Sequence, residues 1–415
     1  MEKEQSLFQW ERVKRFNLPV WTVLIGVLIA RTSFFMAWPF LVVFLYQDYG
    51  ASAVEVGAML AASALVGSSA GLYSGYLSDK FGRKWLMVAG CVIAFFAYCG
   101  IAVATEMWHF YVLVILTGLM HPLIDGPAKA VLGDSLSDLK DRELALNTRY
   151  FLLNIGGAVG PLMGVTLALA DPQSLFLITG FTHLVYAFWI MYGIERKSHK
   201  ADKEKQSSVL PNFRQTLKVI SQDKIFVLLL FANLLLMFVY AQLESSVPQV
   251  IVRSGIEEAA KLIAMLMVVN TVTIVVLQFP LLKIMEKLPL FSRTRIGMIL
   301  IALGQVGFII SPNDSALGWA IACFIISIGE VITFPTINVQ IDRLAPAHLR
   351  GSYFGATALY TLGFAIGPLV GGVMIEWFGA TWLFVLCFVA CLSMIWLYHV
   401  ASHMEDDIER EVALQ

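Results

Sequence analysis

Long apolar runs separated by short polar segments occupy most of this 415-residue chain. A membrane-spanning helix needs about 20 consecutive, mostly apolar residues, and twelve runs are of about that length. They lie at residues 19–46, 54–78, 85–104, 108–133, 148–170, 174–194, 225–247, 258–283, 292–311, 315–340, 352–376 and 380–400. The pattern therefore predicts an all-α membrane protein with twelve transmembrane helices.

The composition is that of a protein that dissolves mostly in lipid. Hydrophobic residues make up 58% of the chain and charged residues 14%, against about 25% charged residues in a water-soluble domain. Mean hydropathy is +0.74. The net charge of −1 gives no bulk electrostatic reason to expect nucleic acid as a partner. The lipid bilayer is the expected partner instead.

The residues that usually carry enzyme chemistry are not arranged for it here. All five cysteines lie inside apolar runs and no C-x-x-C pair occurs, so they are interpreted as small hydrophobic residues. The sequence also contains no phosphate-binding loop, no H-E-x-x-H pattern and no zinc-type spacing. We therefore expect a protein that is not an enzyme, is not driven by nucleotide hydrolysis, and uses no metal or other cofactor.

Lysine and arginine are distributed unevenly between the two sides of the predicted membrane. If both termini lie in the cytoplasm, all but four of the 29 Lys and Arg residues fall in cytoplasmic segments. The exceptions are Arg253 and Lys261 in outer loops, and Arg31 and Lys129 within spans. Because cytoplasmic loops of membrane proteins carry an excess of Lys and Arg, we expect a multi-pass protein with both termini cytoplasmic.

One long polar stretch divides the chain near its middle, with six predicted spans on each side. We expect an N-terminal six-helix bundle at 1–194, a cytoplasmic linker at 195–224, a C-terminal six-helix bundle at 225–401 and a cytoplasmic tail at 402–415. The linker is either a solvated tether or includes a short amphipathic helix around residues 213–220.

The two halves contain a related segment. Residues 127–134 read PAKAVLGD and residues 335–342 read PTINVQID, with Pro and Asp at equal separation. Eight residues after each Asp comes an arginine, Arg142 in the first half and Arg350 in the second, and each arginine leads into a glycine-rich span. This repetition predicts two pseudo-symmetric bundles.

A short charged turn, GYLSDKFGRK, joins the second and third spans. Its defining positions are Gly75, Asp79, Gly82, Arg83 and Lys84. Asp79 is placed to cap the N-terminus of a neighbouring helix and to pair with cations. The simpler alternative is that the basic residues of the turn only fix the orientation of the chain in the membrane.

Ionisable residues also occur inside the predicted spans. They are Arg31 in the first span, His121, Asp125 and Lys129 in the fourth, Glu244 in the seventh and Glu330 in the tenth. A charged group in hydrocarbon costs at least about 2.5–3.5 kcal/mol, so it faces a cavity or a partner. Because carboxylates in such cavities can titrate near neutral pH, we expect Glu244 and Glu330 to face a water-accessible crevice and to bind protons and substrate.

Structural roles are the alternative for several of these residues. Asp125 and Lys129 are four apart and can neutralise each other on one helix face, which His121 shares. Arg31 can be a structural partner of Asp125 or Glu330. Glu244 can lie close enough to the outer surface to be solvated.

The turn at residues 75–84 resembles the loop signature of the major facilitator superfamily of transporters, G-x-L-x-D-x-x-G-R-K, at every defining position. The whole chain resembles the twelve-span drug:proton antiporter branch of that family. The fifth span reads G-x-x-x-G-P-x-x-G, which is similar to a motif typical of proton-coupled exporters; its residues here are Gly156, Gly160, Pro161 and Gly164. The glycines also allow close helix packing.

The resemblance implies roles for several residues. Arg83 is expected to pair with Asp134, at the end of the fourth span, and these contacts are expected to keep the inner side closed. Glu330 and Glu244 match acidic positions of related exporters, and Arg31 matches an arginine of the first span. The branch usually has an arginine in the middle of the fourth span, where this chain reads TGLMH; Arg31, His121 or Lys129 is expected to substitute for it.

We therefore expect a proton-driven exporter of amphipathic small molecules or drugs in a bacterial inner membrane. It would work as an antiporter, use the proton gradient as its energy source, confer antibiotic resistance and act as a monomer. The alternatives are export of peptides, siderophores or sugars, uptake by proton symport, and a sensor that does not transport.

Overall fold

The computed structural model describes residues 7, 9–51, 53–168, 172–194, 212–254, 258–311 and 315–414. Most of the predicted linker, residues 195–211, lies outside the described residues. Helices account for nearly all of the described chain, and no strand occurs among those residues, so the predicted all-α class is confirmed.

The helices follow one another with short connections. In the first half they are α1 (Trp10–Val13), α2 (Leu18–Tyr49), α3 (Ala53–Phe81), α4 (Arg83–Val103), α5 (Met107–Ser135), α6 (Leu139–Ala168) and α7 (Pro172–Gly193). In the second half they are α8 (Phe213–Gln222), α9 (Lys224–Arg253), α10 (Ala259–Met285), α11 (Leu290–Ile310), α12 (Ala316–Leu344), α13 (Arg350–Ala356), α14 (Thr361–Trp377) and α15 (Ala380–Leu414).

Each of the twelve predicted spans coincides with helical structure in the described residues, and two differ in detail. Helix α6 begins at Leu139, well before the predicted start at residue 148. The predicted span at 352–376 is interrupted by a 3-10 turn at Thr357–Leu359, between α13 and α14. There the Thr357 hydroxyl donates to the carbonyl of Phe354 at 2.6 Å, which competes for the acceptor that a regular helix uses. The short helix α8 matches the amphipathic alternative for residues 213–220.

The surfaces of the long helices are suited to lipid. Ten helices in the described part of the chain are long and apolar enough to cross a membrane. Large apolar side chains such as Phe96, Ile284, Leu369 and Trp377 are mostly exposed. A water-soluble protein rarely exposes apolar surface on this scale. The chain is therefore a multi-pass membrane protein.

Contacts divide the described residues into two units, which we call the N-terminal unit and the C-terminal unit. The N-terminal unit comprises residues 9–218 together with 342–358. Within it α2 packs on α6 and α7, α4 packs on α5 and α7, and α13 packs on α3 and α5. The end of α12 and all of α13 therefore belong to this unit, although the sequence places them in the segment predicted as the C-terminal bundle, 225–401.

The C-terminal unit contains residues 219–341 and 359–414. Helix α9 packs on α14 and α15, and α11 packs on α15. Its core includes the rings of Phe308, Trp319 and Phe384, whose centroids lie 5.1–6.2 Å apart. Because lipid is as apolar as these side chains, close packing rather than water exclusion holds such helices together.

Candidate functional site

The charged turn between α3 and α4 is a single residue long. Helix α3 ends at Phe81 and α4 begins at Arg83, so Gly82 alone makes the connection. Its φ of +96° lies in a region that residues with a side chain rarely adopt. Lys84, in the first turn of α4, donates to the carbonyl of Met191 at 2.5 Å. That carbonyl lies in the last turn of α7, where cations are favourable.

Asp79 is buried beneath this turn and binds the start of α13. Its Oδ1 accepts the main-chain N–H of Gly351 at 2.9 Å. Its Oδ2 accepts both the main-chain N–H and the hydroxyl of Ser352, at 2.6 and 2.5 Å. The Arg83 guanidinium lies 2.5 Å from Oδ1 and balances the charge. Asp79 thus satisfies N–H groups that a helix start leaves without partners, which is the capping geometry expected from the sequence.

Gly75 lets α3 approach α13 closely. A Cβ added to Gly75 would lie 2.8 Å from the Cα of Gly355 and 3.0 Å from the Cα of Ser352. Both are main-chain atoms, which cannot rotate away. A side chain at position 75 would therefore push α13 away from the carboxylate of Asp79.

A cluster of ionic residues surrounds the Asp79 contact, and we call it the hinge cluster. Its members are Asp79, Arg83, Asp134, Arg142, Asp342 and Arg350. The expected pair is present, with Arg83 Nε donating to Asp134 Oδ2 at 3.2 Å. Arg350 binds Asp134 through Nη1, and its Nε lies 2.9 Å from Asp342 Oδ1. Arg142 lies 3.8 Å from Asp342.

The hinge cluster pairs the sequence repeats with each other. Asp134 and Asp342 occupy equivalent repeat positions, as do Arg142 and Arg350. The aspartate of each repeat contacts the arginine of the other repeat, and Arg350 also contacts Asp342. We did not assign Asp342 or Arg350 to the site from the sequence. The equal spacing of eight residues between Asp and Arg in the two halves indicates a repeat. It does not indicate that the two repeated segments contact each other.

A second ionic group lies within α5. Asp125 Oδ2 is 2.9 Å from Lys129 Nζ, as expected for residues four apart on a helix. Arg149 of α6 also binds Asp125. The distribution of Lys and Arg along the sequence places Arg149 among the cytoplasmic basic residues, but its side chain is buried. Asp125 is therefore shared by two cations, and the second one was missed because it lies on another helix.

His121 lies close enough to Asp125, Lys129 and Arg31 to interact with them electrostatically. The His121 side chain is exposed, one turn before Asp125. The Arg31 guanidinium carbon lies 4.3 Å from the centroid of Phe35, a cation–π distance. A substitute for the branch arginine remains a prediction for these residues.

Glu330 is enclosed within the C-terminal unit. Only 3% of its surface is exposed. Asn270 of α10 donates to its Oε2 at 2.7 Å and to the hydroxyl of Ser327 at 3.0 Å. Glu330 also lines a small cavity whose walls include Ile301, Phe308 and Phe334. The expectation that Glu330 faces an open, water-filled crevice is therefore not met in this structure.

Glu244 does not share the cavity of Glu330. Its side chain is exposed, although its neighbours Gln242 and Leu243 line that cavity. The structure thus brings Glu330 together with Asn270, which also donates to Ser327. Asn270 was not predicted, because a neutral side chain in an apolar run carries no charge signal.

The glycine motif of α6 packs against α2. A Cβ on Gly156 would lie 3.0 Å from the main-chain nitrogen of Thr32, and one on Gly160 would lie 2.6 Å from the carbonyl oxygen of Thr32. Gly164 contacts Phe40 in the same way, and Pro161 lies inside the helix. In the C-terminal unit Gly363, Gly367 and Gly371 of α14 face α9 with equal closeness. The close-packing role is therefore present in both halves, while the exporter role of the motif remains a prediction.

Comparison with known proteins gives the family context. The sequence model of the Major Facilitator Superfamily matches residues 23–361. The chain is 31% identical over 361 residues to the uncharacterized MFS-type transporter YqjV of Bacillus subtilis, covering 87% of both chains. It is 25% identical to a Na(+), Li(+), K(+)/H(+) antiporter of Planococcus maritimus, covering 94% of this chain and 98% of the relative.

A multidrug resistance protein and a solved structure complete the comparison. Multidrug resistance protein MdtH of Salmonella arizonae is 24% identical, covering 89% of this chain and 86% of the relative. The crystal structure of the human organic anion transporter MFSD10 matches with a TM-score of 0.67 at 14% identity, over 92% of this chain and 99% of that one. At that identity the structural match supports the fold alone.

Proposed function

Because this chain belongs to the major facilitator superfamily of membrane transporters, we propose that it is a proton-coupled exporter of amphipathic small molecules. Protons would enter from outside and drive the cargo outward. The observation that carries the proposal is the burial of Glu330 in the membrane-spanning helix α12, with one carboxylate oxygen bound by Asn270. A carboxyl group is costly in such a place unless it is neutralised or functional.

Enclosure of Glu330 suits a proton carrier. A group that exchanges protons with two sides in turn must be closed off from at least one of them in every state. Asn270 holds the carboxyl group in place, so that opening of the cavity rather than rotation of the side chain would control proton release.

The hinge cluster supports alternation between two states. Asp79 and Asp134 each hold contacts to the segment 350–352, and all of these contacts are ionic or polar. Such contacts can break and re-form as water enters, unlike a packed apolar core. We propose that they stabilise the state in which the inner side is closed, and that the transporter opens inward when they separate.

Aromatic side chains favour an amphipathic cargo. Phe34 stacks on Trp38 with centroids 5.2 Å apart, and Tyr240 contacts Phe334 at the same distance. Pairs of this kind offer apolar faces, and the tyrosine adds a hydroxyl group. Similarity to the multidrug resistance protein MdtH points to the same class of cargo.

Exchange of an alkali cation for protons is the second candidate. The relative from Planococcus maritimus that matches nearly the full length of this chain is a Na(+), Li(+), K(+)/H(+) antiporter. A carboxylate and a hydroxyl group that share one donor, as Glu330 and Ser327 share Asn270, are compatible with such an ion. Uptake by symport, and export of peptides, siderophores or sugars, would be recognised in the same assay.

The test is proton flux in sealed lipid vesicles that contain the purified protein with its cytoplasmic side facing outward. With an outwardly directed proton gradient, a panel of amphipathic drugs should release protons from the vesicles when added outside, and Na⁺ or K⁺ should not. E330Q should abolish the response, E330D should keep part of it, and E376Q should leave it intact because Glu376 is exposed on α14. Proton movement only with alkali cations would establish the second candidate. Unchanged coupling in E330Q would refute the assigned carrier.

The location is also proposed. The distribution of Lys and Arg supports an orientation with both termini in the cytoplasm, and the bacterial relatives support a bacterial inner membrane. Fusion of a reporter that is active only in the cytoplasm to residue 415 would test the orientation, and an inactive reporter there would reverse it.

A further inference from the structure

A small cavity lies beside Glu330 in the C-terminal unit. Its volume is about 10 Å³, which is near the lower limit for holding one water molecule. Its polar lining comprises Tyr240, Gln242, Gln305 and Glu330, and the remaining walls are aliphatic and aromatic. A space of this size is too small for a drug-sized molecule.

Gln305 of α11 lines this cavity and has an amide oxygen without a hydrogen-bond donor. The side chain is 3% exposed, and no described residue donates a hydrogen bond to its Oε1. The other amide in the lining is satisfied, because Gln242 donates to the carbonyls of Phe238 and Gly367 and accepts the Ser246 hydroxyl at 2.5 Å. A buried acceptor without a donor is unfavourable, so Gln305 needs a partner that the protein side chains do not supply.

We propose that this cavity binds one water molecule, which donates a hydrogen bond to Gln305 Oε1 and also bonds to the Glu330 carboxyl group. This rests on the proposed function only in so far as Glu330 exchanges protons. When the carboxyl group is ionised, the water donates one hydrogen to it and the other to Gln305. When it is protonated, its O–H donates to the water oxygen and the water still donates to Gln305. The water therefore serves both protonation states.

This arrangement makes Gln305 a positioning residue for the proton on Glu330. Loss of the water would remove a hydrogen bond to the ionised carboxylate, and hydrogen bonds to charged groups are stronger than those to neutral ones. The ionised form would become less stable relative to the protonated form. Proton release would then need a higher pH.

Two titratable groups near Glu330 do not explain such a shift. Among the described residues, Tyr240 of α9 lines the cavity and Cys323 lies close enough to Glu330 on α12 to interact electrostatically. Both are neutral near pH 7 in their ordinary states. Helices α10 and α11 contribute the neutral amides Asn270 and Gln305, and α15 contributes Phe384.

The test uses the full chain in lipid and two readouts. The infrared C=O band of protonated Glu330, identified by its loss in E330Q, reports hydrogen bonding directly. In Q305M, which keeps the side-chain length but removes the amide, the band should move to higher frequency. The pH of half-maximal proton-coupled transport should rise by about one unit. V239I, which adds a methyl group to the cavity wall and leaves the Gln305 amide in place, should produce the same two changes.

Q278M is the matched control. Gln278 of α10 is also buried, and its amide also lacks a partner among the described residues, but it does not line this cavity. Its substitution should move neither readout. A wild-type band retained in both Q305M and V239I would overturn the water site, as would a wild-type band that shifts when Na⁺ replaces choline. If E330Q transports normally while Q305M still shifts the band, the water site stands and the proton role of Glu330 fails.

Discussion

The carboxylate of Asp79 binds Ser352 twice, through the main-chain N–H at 2.6 Å and through the hydroxyl at 2.5 Å. These two residues are 273 positions apart in the sequence. The contact joins a turn in the first half of the chain to a helix start in the second half, inside one unit. It gives the charged turn a physical task beyond setting membrane orientation.

Graded substitution at this contact separates charge from hydrogen bonding. D79N keeps one acceptor oxygen but leaves Arg83 without its close carboxylate, so it should lower the unfolding free energy by about 3 kcal/mol, as expected when a buried ion pair is broken. S352A removes only the hydroxyl bond and should cost about 1 kcal/mol. Thermal unfolding in detergent would measure both. Equal effects of the two variants would contradict a charge-based role for Asp79.

Arg350 should contribute more stability than the neighbouring Arg343. R350Q leaves the buried carboxylate of Asp342 with Arg142 at 3.8 Å and removes a contact to Asp134, so we expect a loss of about 3 kcal/mol. The Arg343 side chain is 42% exposed where it pairs with Glu143, and R343Q should cost about 1 kcal/mol or less. Melting temperatures recorded under one set of conditions would decide the order, and a larger drop in R343Q would refute it.

The N-terminal segment contains two arginines near the start of α6, and we expect only Arg12 to contribute substantially to stability. Arg12 is buried and lies 2.5 Å from Asp141 and 3.1 Å from Asp138. Arg15 is half exposed, 3.5 Å from Asp141. R12Q should therefore destabilise the protein by about 3 kcal/mol, while R15Q should change stability by less than about 1 kcal/mol. The comparison can be made by heat denaturation, and similar melting points would argue against a fixed segment.

The glycines of α6 should differ sharply in their tolerance of alanine. A Cβ at Gly160 would meet the carbonyl oxygen of Thr32 at 2.6 Å, whereas one at Gly157 would meet only the Phe35 ring at 3.7 Å. G160A should destabilise the protein by about 1–3 kcal/mol through overpacking. G157A should be neutral or stabilise by up to about 1 kcal/mol, because alanine favours the helix. Expression level and unfolding temperature test the contrast, and tolerance of G160A would show that α2 and α6 can separate.

Much of the site was predictable wherever the signal was local in sequence. The i,i+4 pair of Asp125 and Lys129 follows from helix periodicity, and the charged turn at residues 75–84 follows from its composition, although only Gly82 lies outside the two helices. The partners of these residues were harder to predict. Arg149 looked like a cytoplasmic cation, and Asn270 looked like any neutral residue in an apolar run. The sequence around neither residue indicates its partner, because contacts between helices depend on how the helices are rotated and packed.

The sequence by itself determined the positions of the long apolar helices, their order, the repeated segment and the family resemblance, because each of these depends on apolar length and on motifs within a few residues. The tertiary structure alone decided that residues 342–358 pack with the N-terminal unit, that Arg350 bridges Asp134 and Asp342, and that Glu330 is enclosed while Glu244 is exposed. The physical reason is that burial and ion pairing are set by distances between helices. Those distances follow from packing over the whole unit and are not encoded at any single position.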